Sequence, residues 1–111
     1  MPDLDPEDEK IIILARSTRA RTQAAEGAAV RDLDGRTYAA GTVSLPSMKL
    51  TAIQAAVAAA VSSGAEGLEA AAVVTGDSLV AEASVHAVRD LAPSAPILRA
   101  DLDGVVREIV T

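Results

Sequence analysis

Apolar residues recur at helical spacing near the start of the chain, directly after a short acidic stretch. This pattern predicts a helix from Pro6 to about Arg21, with Asp5 as its N-cap and the proline in its first turn. Ile11, Leu14 and Ala15 would form the buried stripe of this helix. Acidic residues near its start and basic residues near its end match the helix dipole.

Two stretches with strand-like patterns follow, separated by a turn signal. Gly27–Asp32 and Arg36–Val43 are predicted as strands. The segment between them, Leu33–Gly35, contains the Asp-Gly pair that favours a tight turn. Pro46 then marks a break in the pattern. The sequence therefore predicts a β-hairpin after the first helix.

A second helix is predicted over Ser47–Ser63, where alanine and valine dominate. Its middle, Ala55–Val61, is apolar on every side, which is typical of a helix buried on most of its faces. The small side chains would let neighbouring backbones approach closely. Gly64 or Gly67 is predicted to end this helix.

The second half of the chain alternates strands and helices. Leu68–Thr75 is a continuous apolar run with the length of a central strand covered on both faces. The remaining predictions are an amphipathic helix over Leu79–Leu91 stopped by Pro93, a strand over Ile97–Ala100, a turn over Asp101–Gly104, and the short segment Val105–Val110 without an assignment. The order α-β-β-α-β-α-β predicts an α/β fold, a three-layer α-β-α sandwich on a mixed sheet.

The composition excludes several kinds of site. The 111 residues contain no Cys, Phe or Trp, and Tyr38 and His86 are the only members of their residue types. Disulfides, cysteine nucleophiles, zinc sites built on cysteine and zinc sites with two or three histidines are therefore excluded. A single tyrosine also makes base stacking on an aromatic surface a poor basis for binding RNA.

The net charge of −6 argues against nucleic acid or an anionic membrane as a partner. The longest apolar run is far shorter than a membrane span, and the acidic first ten residues do not resemble a signal peptide. We therefore expect a cytoplasmic chain, with an acidic leader at residues 1–9 and a single domain at residues 10–111.

Few polar residues have a spacing that suggests chemistry. Glu82 and His86 would share a helix face as two metal ligands can, but a solvated polar face explains them better. Asp101 and Asp103 could bind a cation, although such pairs more often form turns. Ser84 and His86 would point to different sides of a helix, so they do not form a catalytic pair. Three arginines could bind a phosphate, but their place at a helix end explains them equally well: Arg16, Arg19 and Arg21.

From about Ile11 to Gly104, the order of elements and several short stretches resemble the cytidine deaminase family. The resemblance implies that family's fold and a zinc ion that activates water, with a Glu that moves the proton. No single stretch is diagnostic, and the resemblance depends on their order and spacing. The similar stretches are Gly27–Val30, Asp34–Arg36, Gly41–Ser44, Ala60–Gly64, Ala71–Thr75, Val88–Pro93 and Ala100–Gly104.

The residues that carry the family's chemistry are replaced in this chain. The resemblance places Thr51, Ala81 and Ser84 at the three zinc-ligand positions and Ile53 at the position of the proton-transferring Glu. None of these side chains suits its expected role. The resemblance therefore implies zinc as the family's cofactor but predicts no metal and no catalytic residue here.

The sugar contacts are replaced as well. The resemblance places Thr42 and Ser44 where the family has an Asn and a Glu that hold the ribose, and Arg21–Ala25 has no counterpart of its Pro-Tyr-Ser-x-Phe stretch. We therefore expect a deaminase-like protein that has lost its activity and serves as a binding or assembly module. The resemblance further implies a homo-oligomer, a dimer or tetramer, and another protein partner stays open. The alternative is a protein that still binds nucleosides or retains residual deamination of cytidine to uridine.

Overall fold

The computed structural model of the chain describes residues 4–111. Within this range it contains three helices and seven strands, several of them close to the predicted bounds. The elements in chain order are α1 (Pro6–Thr22), β1 (Gly27–Asp32), β2 (Thr37–Gly41), β3 (Val43–Leu45), β4 (Met48–Leu50), α2 (Ala52–Ser62), β5 (Leu68–Val74), α3 (Glu82–Leu91), β6 (Ile97–Ala100) and β7 (Val106–Val110).

The main sheet has five strands in the order β2-β1-β5-β6-β7. Strands β5 and β6 are parallel and are joined through α3, whereas the other neighbouring pairs are antiparallel. One apolar cluster lies between this sheet and helices α2 and α3, and a second lies between the sheet and α1. The predicted α/β class, a three-layer sandwich on a mixed sheet, is confirmed.

Small side chains let the helices pack close to the centre of the sheet. The alanines of β1 and β5 are fully buried, and they alternate between the two apolar clusters. Gly27 marks the closest approach, because a Cβ at this position would collide with the carbonyl oxygen of Ala15 in α1. We expect substitution of Gly27 by alanine to push α1 away from the sheet.

The predicted hairpin between β1 and β2 is confirmed, and its turn is organised by one carboxylate. Asp32 is buried and accepts hydrogen bonds from the backbone amides of Asp34 and Arg36 at 2.9 Å each and from the Tyr38 hydroxyl at 2.8 Å. Burial raises the pKa of Asp32, but these hydrogen bonds outweigh it and hold the pKa below its usual value. The single aromatic side chain of the protein therefore supports a turn.

The region between β2 and α2 differs from the prediction. The strand predicted over 36–43 ends at Gly41, and a separate hairpin follows, in which Val43–Leu45 pairs with Met48–Leu50. The break predicted at Pro46 is the tip of this hairpin. Helix α2 therefore begins at Ala52, five residues later than the predicted start at Ser47.

The second half holds three smaller differences. Helix α3 begins at Glu82 rather than at Leu79, and the unassigned segment at the end forms the edge strand β7. Helix α2 is buried on one face only, because Ala58 and Val61 are exposed. The apolar sequence of α2 thus exceeds what the core buries. Of the two glycines predicted to end this helix, Gly64 or Gly67, it is Gly64 that follows the C-cap, with a φ of 99°.

The start of α1 is joined to the sheet by charged side chains. Asp5 is the N-cap as predicted, and its carboxylate accepts a hydrogen bond from the Glu7 amide. Asp8 pairs at 3.0 Å with Arg31 of β1, and Arg31 also pairs at 3.1 Å with Glu69. Part of the predicted acidic leader, residues 6–9, therefore forms the first turn of α1, and residues 1–3 lie outside the described range.

No helix in residues 4–111 is long and apolar enough to cross a membrane.

Candidate functional site

The N-terminus of α2 is built around Thr51. The Thr51 hydroxyl accepts a hydrogen bond from the Gln54 amide at 3.1 Å, and the Gln54 side chain accepts one from the Thr51 amide at 2.9 Å. This reciprocal pair is a capping box, which satisfies two backbone donors that a helix start leaves free. The residue expected at a zinc-ligand position therefore acts as a helix cap.

The N-terminus of α3 lies against the same point. Ala81 occupies its N-cap position, and no side chain caps this helix. One turn later, Ser84 is 2% exposed, and its hydroxyl donates a 2.7 Å hydrogen bond to the Thr51 hydroxyl. Three of the predicted positions, Thr51, Ala81 and Ser84, thus lie at two helix starts that are joined by a direct contact between hydroxyl groups.

Ile53 lies in the first turn of α2 and is fully buried. It belongs to the apolar cluster between the sheet and helices α2 and α3. An alkyl side chain in this cluster can neither accept nor release a proton. At the position expected for proton transfer, the chain therefore contributes packing.

An open groove of about 460 Å³ lies beside the start of α2. The predicted sugar-contact residues Thr42 and Ser44 both line it, together with Thr51. Thr42 is already engaged, because its hydroxyl accepts a 2.9 Å hydrogen bond from the Glu26 amide. Ser44 is exposed on the small hairpin. The remaining lining residues are Glu26, Val43, Lys49, Leu50, Gln54 and Ala83.

Glu26 is a groove residue that the sequence patterns did not reveal. It lies just before β1, and no spacing to another polar residue distinguishes it. One of its carboxylate oxygens lies 3.5 Å from the amide nitrogen of Ala52 in the first turn of α2, at the outer limit of a hydrogen bond. The positive end of the helix dipole favours a carboxylate at this place.

The donor groups at the two helix starts do not fit a zinc site. Two oxygen ligands of one tetrahedral zinc ion lie about 3.3–3.6 Å apart, because each Zn–O bond is about 2.0–2.2 Å long. The Thr51 and Ser84 hydroxyls are 2.7 Å apart and bonded to each other, and Ala81 has no donor atom. Among residues 4–111, no group of three His, Cys, Asp or Glu side chains could hold a metal ion.

The other polar candidates have local roles. His86 and Glu82 lie on an exposed face of α3, away from the buried Ser84, with 3.8 Å between His86 Nε2 and Glu82 Oε1. Asp101 organises the turn before β7, since its carboxylate accepts hydrogen bonds from the amides of Asp103 and Val105 and from Arg107. The Val105 amide and the Arg107 guanidinium lower the pKa of Asp101 against the opposing effect of burial. Near the end of α1, Arg19 bonds the carbonyl oxygen of Ala25.

Comparison with known proteins agrees with this fold. A family profile described as cytidine deaminase-like matches residues 4–104. A cytidine deaminase structure from Burkholderia pseudomallei superimposes with a TM-score of 0.80 at 21% identity, covering 92% of this chain and 90% of that chain. A cytidine deaminase structure from Mycobacterium leprae gives 0.73 at 22% identity, covering 93% of each chain. The structure of a mutant cytidine deaminase from Mycobacterium tuberculosis gives a TM-score of 0.70 at 25% identity, covering 87% of this chain and 85% of that chain. No curated protein gives a significant sequence match.

Proposed function

The chain belongs to the cytidine deaminase-like family, and we propose that it is a member that has lost zinc binding and nucleoside deamination and serves as a binding or assembly module. The observation that carries this proposal is the 2.7 Å hydrogen bond between the Thr51 and Ser84 hydroxyls. In the family, a metal ion lies between the ligands at these positions. Here the two side chains are bonded directly to each other at this distance instead.

Two further observations support the loss of activity. The fully buried Ile53 offers no proton to a substrate, so the proton-transfer step of the family's chemistry has no residue at its expected place. Thr42 uses its hydroxyl to join the backbone before β1, so it has less capacity for contacts with a sugar. Metal binding, proton transfer and sugar binding are thus replaced at separate positions, which favours loss of activity over a change of substrate.

The activity test is the absorbance change of cytidine in the presence of the purified chain and added zinc, with a zinc-loaded cytidine deaminase as the positive control. We expect no conversion above the rate in buffer. Saturable conversion of cytidine that a zinc chelator abolishes would overturn the proposal and favour the alternative of a residually active deaminase.

The assembly part of the proposal concerns the outer surface of α2 and α3. A groove of about 420 Å³ lies between these helices, and its lining is mainly apolar. Val61 in this lining is 52% exposed, although it is a large aliphatic residue. Exposed apolar surface of this kind favours association. We propose a second copy of the chain as the occupant, in keeping with the dimers and tetramers that the family resemblance implies.

Sedimentation analysis of the wild-type chain tests this assembly. We expect an oligomer that Val61→Asp converts to a monomer, because the substitution would bury a charge in the contact. The matched control is Ile13→Asp, which places the same charge on the exposed side of α1 across the sheet and should leave the mass unchanged. A monomeric wild-type chain, or equal behaviour of the two variants, would contradict the proposal.

A further inference from the structure

We propose that the groove beside the start of α2 binds a small zwitterion, a free amino acid, with Glu26 taking the ammonium group and Lys49 the carboxylate. This inference rests on the proposed function, because it requires a groove that holds no metal ion. It goes further by assigning a ligand class and two recognition residues to the module.

The first argument is the free bonding capacity of Glu26. Its carboxylate has one contact within residues 4–111, the long 3.5 Å approach to the Ala52 amide, and it takes part in none of the ion pairs found there. An ionised carboxylate can accept about four hydrogen bonds. Glu26 is half-buried and lines the groove, so its carboxylate has acceptor capacity left for a ligand there.

Asp32 shows what a purely structural carboxylate looks like in the same protein. It accepts three hydrogen bonds of 2.8–2.9 Å from its own chain, and it is 3% exposed. A ligand could reach it only by breaking the hairpin turn. Glu26 differs in both respects, since it is only half-buried and its carboxylate has one long hydrogen-bond contact.

The second argument is the sign of the other charge. Lys49 is the one cationic residue in the lining, and Glu26 is the one anionic residue. Lys49 lies on β4 opposite Ser44 of β3, and it forms none of the ion pairs found within residues 4–111. Two opposite charges that line one groove without pairing suit a ligand that carries both charges itself.

The third argument concerns size and the remaining polar groups. A volume of about 460 Å³ falls in the range of about 300–1,000 Å³ that small-molecule sites occupy. Ser44 adds an exposed hydroxyl group to the lining, and this suits a compact polar molecule. A simple anion would meet Glu26 and a simple cation would meet Lys49, so either one leaves a charge unmatched.

Nuclear magnetic resonance titration of the full chain tests the inference, with three probes that differ in the charges they carry. Glycine carries both charges, glycine methyl ester carries the ammonium alone, and N-acetylglycine carries the carboxylate alone. We expect saturable shifts of the amide signals of Glu26, Lys49 and Ala52 with glycine. Both blocked probes should bind about tenfold more weakly or worse, the loss that corresponds to about 1.4 kcal/mol.

Two substitutions locate the charges, and two matched controls change the net charge by the same amount elsewhere. Glu26→Gln and Lys49→Gln should each weaken glycine binding at least about tenfold. Glu9→Gln and Lys10→Gln make the same charge changes on exposed residues of α1 and should bind glycine as the wild type does. The dispersion of the amide signals reports whether each variant folds.

The inference is overturned if glycine gives no saturable shift, if the blocked probes bind as well as glycine, or if a folded Glu26→Gln variant retains full binding. None of these results bears on cytidine conversion. Zinc-dependent turnover, by contrast, would overturn the proposed function whatever glycine does, so the two failures are distinguishable.

Discussion

The N-termini of α2 and α3 meet at the groove, on the same face of the sheet, but their local structures differ. Helix α2 begins with a complete capping box, and its first two residues, Ala52 and Ile53, are fully buried. Helix α3 has no side-chain cap at its N-cap Ala81, and its first two residues, Glu82 and Ala83, are exposed. The first start is part of the core of the protein, whereas the second is close to solvent.

The three expected ligand positions are used in different ways in this chain. Thr51 stabilises its own helix, Ser84 joins α3 to that cap, and Ala81 contributes no polar group. A single bond between hydroxyl groups thus connects two helices at the point where the family resemblance expects a metal ion. Helix α2 therefore stabilises the site through its cap, and the Ser84 hydroxyl bonds α3 to that cap.

The largest effect that tests this comparison is expected at Ile53. Ile53→Glu restores a carboxylate at the position expected for proton transfer, but it places an unpaired charge in the core. We expect a loss of about 4 kcal/mol or more in the free energy of unfolding, measured by urea denaturation. Ile53→Val is the control and should cost about 0.5–1.5 kcal/mol. Equal stability of the two variants would mean that the side chain reaches the groove and that the start of α2 is not core.

The next largest effect tests the bond between the two helices. Thr51→Ala removes both the cap and the acceptor for Ser84, and it should cost about 1–2 kcal/mol of unfolding free energy. Ser84→Ala removes only the donor and should cost about 1 kcal/mol. The double variant should lose roughly 0.5–1 kcal/mol less unfolding free energy than the sum of the two single losses. Simple additivity would show that the hydroxyl contact does not stabilise the protein.

A smaller change of opposite sign is expected at the start of α3. Ala81 has the extended backbone of an N-cap, with φ −59° and ψ 140°, but it has no side chain that can cap. Ala81→Asp should therefore raise the free energy of unfolding by about 0.5–1 kcal/mol. The same assay on Ala83→Asp, inside the first turn, gives the control for added charge. A loss of stability with Ala81→Asp would mean that this start is as tightly packed as the start of α2.

Acid should destabilise the protein through Asp32, which lies away from both helix starts. This effect should be absent at neutral pH. The pKa of Asp32 is lower in the folded chain than its ordinary value of 3.8. Its contribution to stability is therefore full above about that pH and is lost as the pH falls through the lower folded pKa. Asp32→Asn should reduce the dependence of stability on pH in this acid range, whereas the exposed Asp34→Asn should not. An unchanged acid dependence in Asp32→Asn would contradict the assigned role.

The sequence predicts the sheet and its helices well because their patterns are local. The Asp-Gly turn, the buried run of β5 and the proline after α3 each signal an element that the structure contains. The small hairpin of β3 and β4 was missed because its strands have three residues each, too few for an alternating pattern. The exposed face of α2 was missed because alanine is compatible with either burial or exposure.

For the site, the resemblance identified Thr51 and Ser84, but it could not show that their hydroxyls meet. Contacts between residues 33 positions apart depend on the packing of α3 against α2, which no local pattern records. Glu26 was missed for a related reason. Its significance comes from the groove that surrounds it, and the groove is formed by segments that are distant in sequence.

If the proposed loss of metal binding is correct, the two helix starts hold the frame of a metal site without its ligands. Co(II) titration of the wild-type chain and of the Thr51→Cys, Ala81→Cys, Ser84→Cys triple variant, followed by visible absorption, tests this most directly, because three thiolates at one point form a tetrahedral metal site. We predict no bound Co(II) in the wild type and one thiolate-bound Co(II) per chain in the triple variant. Tight stoichiometric binding by the wild type, or a folded triple variant that binds no more Co(II) than the wild type, would contradict the claim.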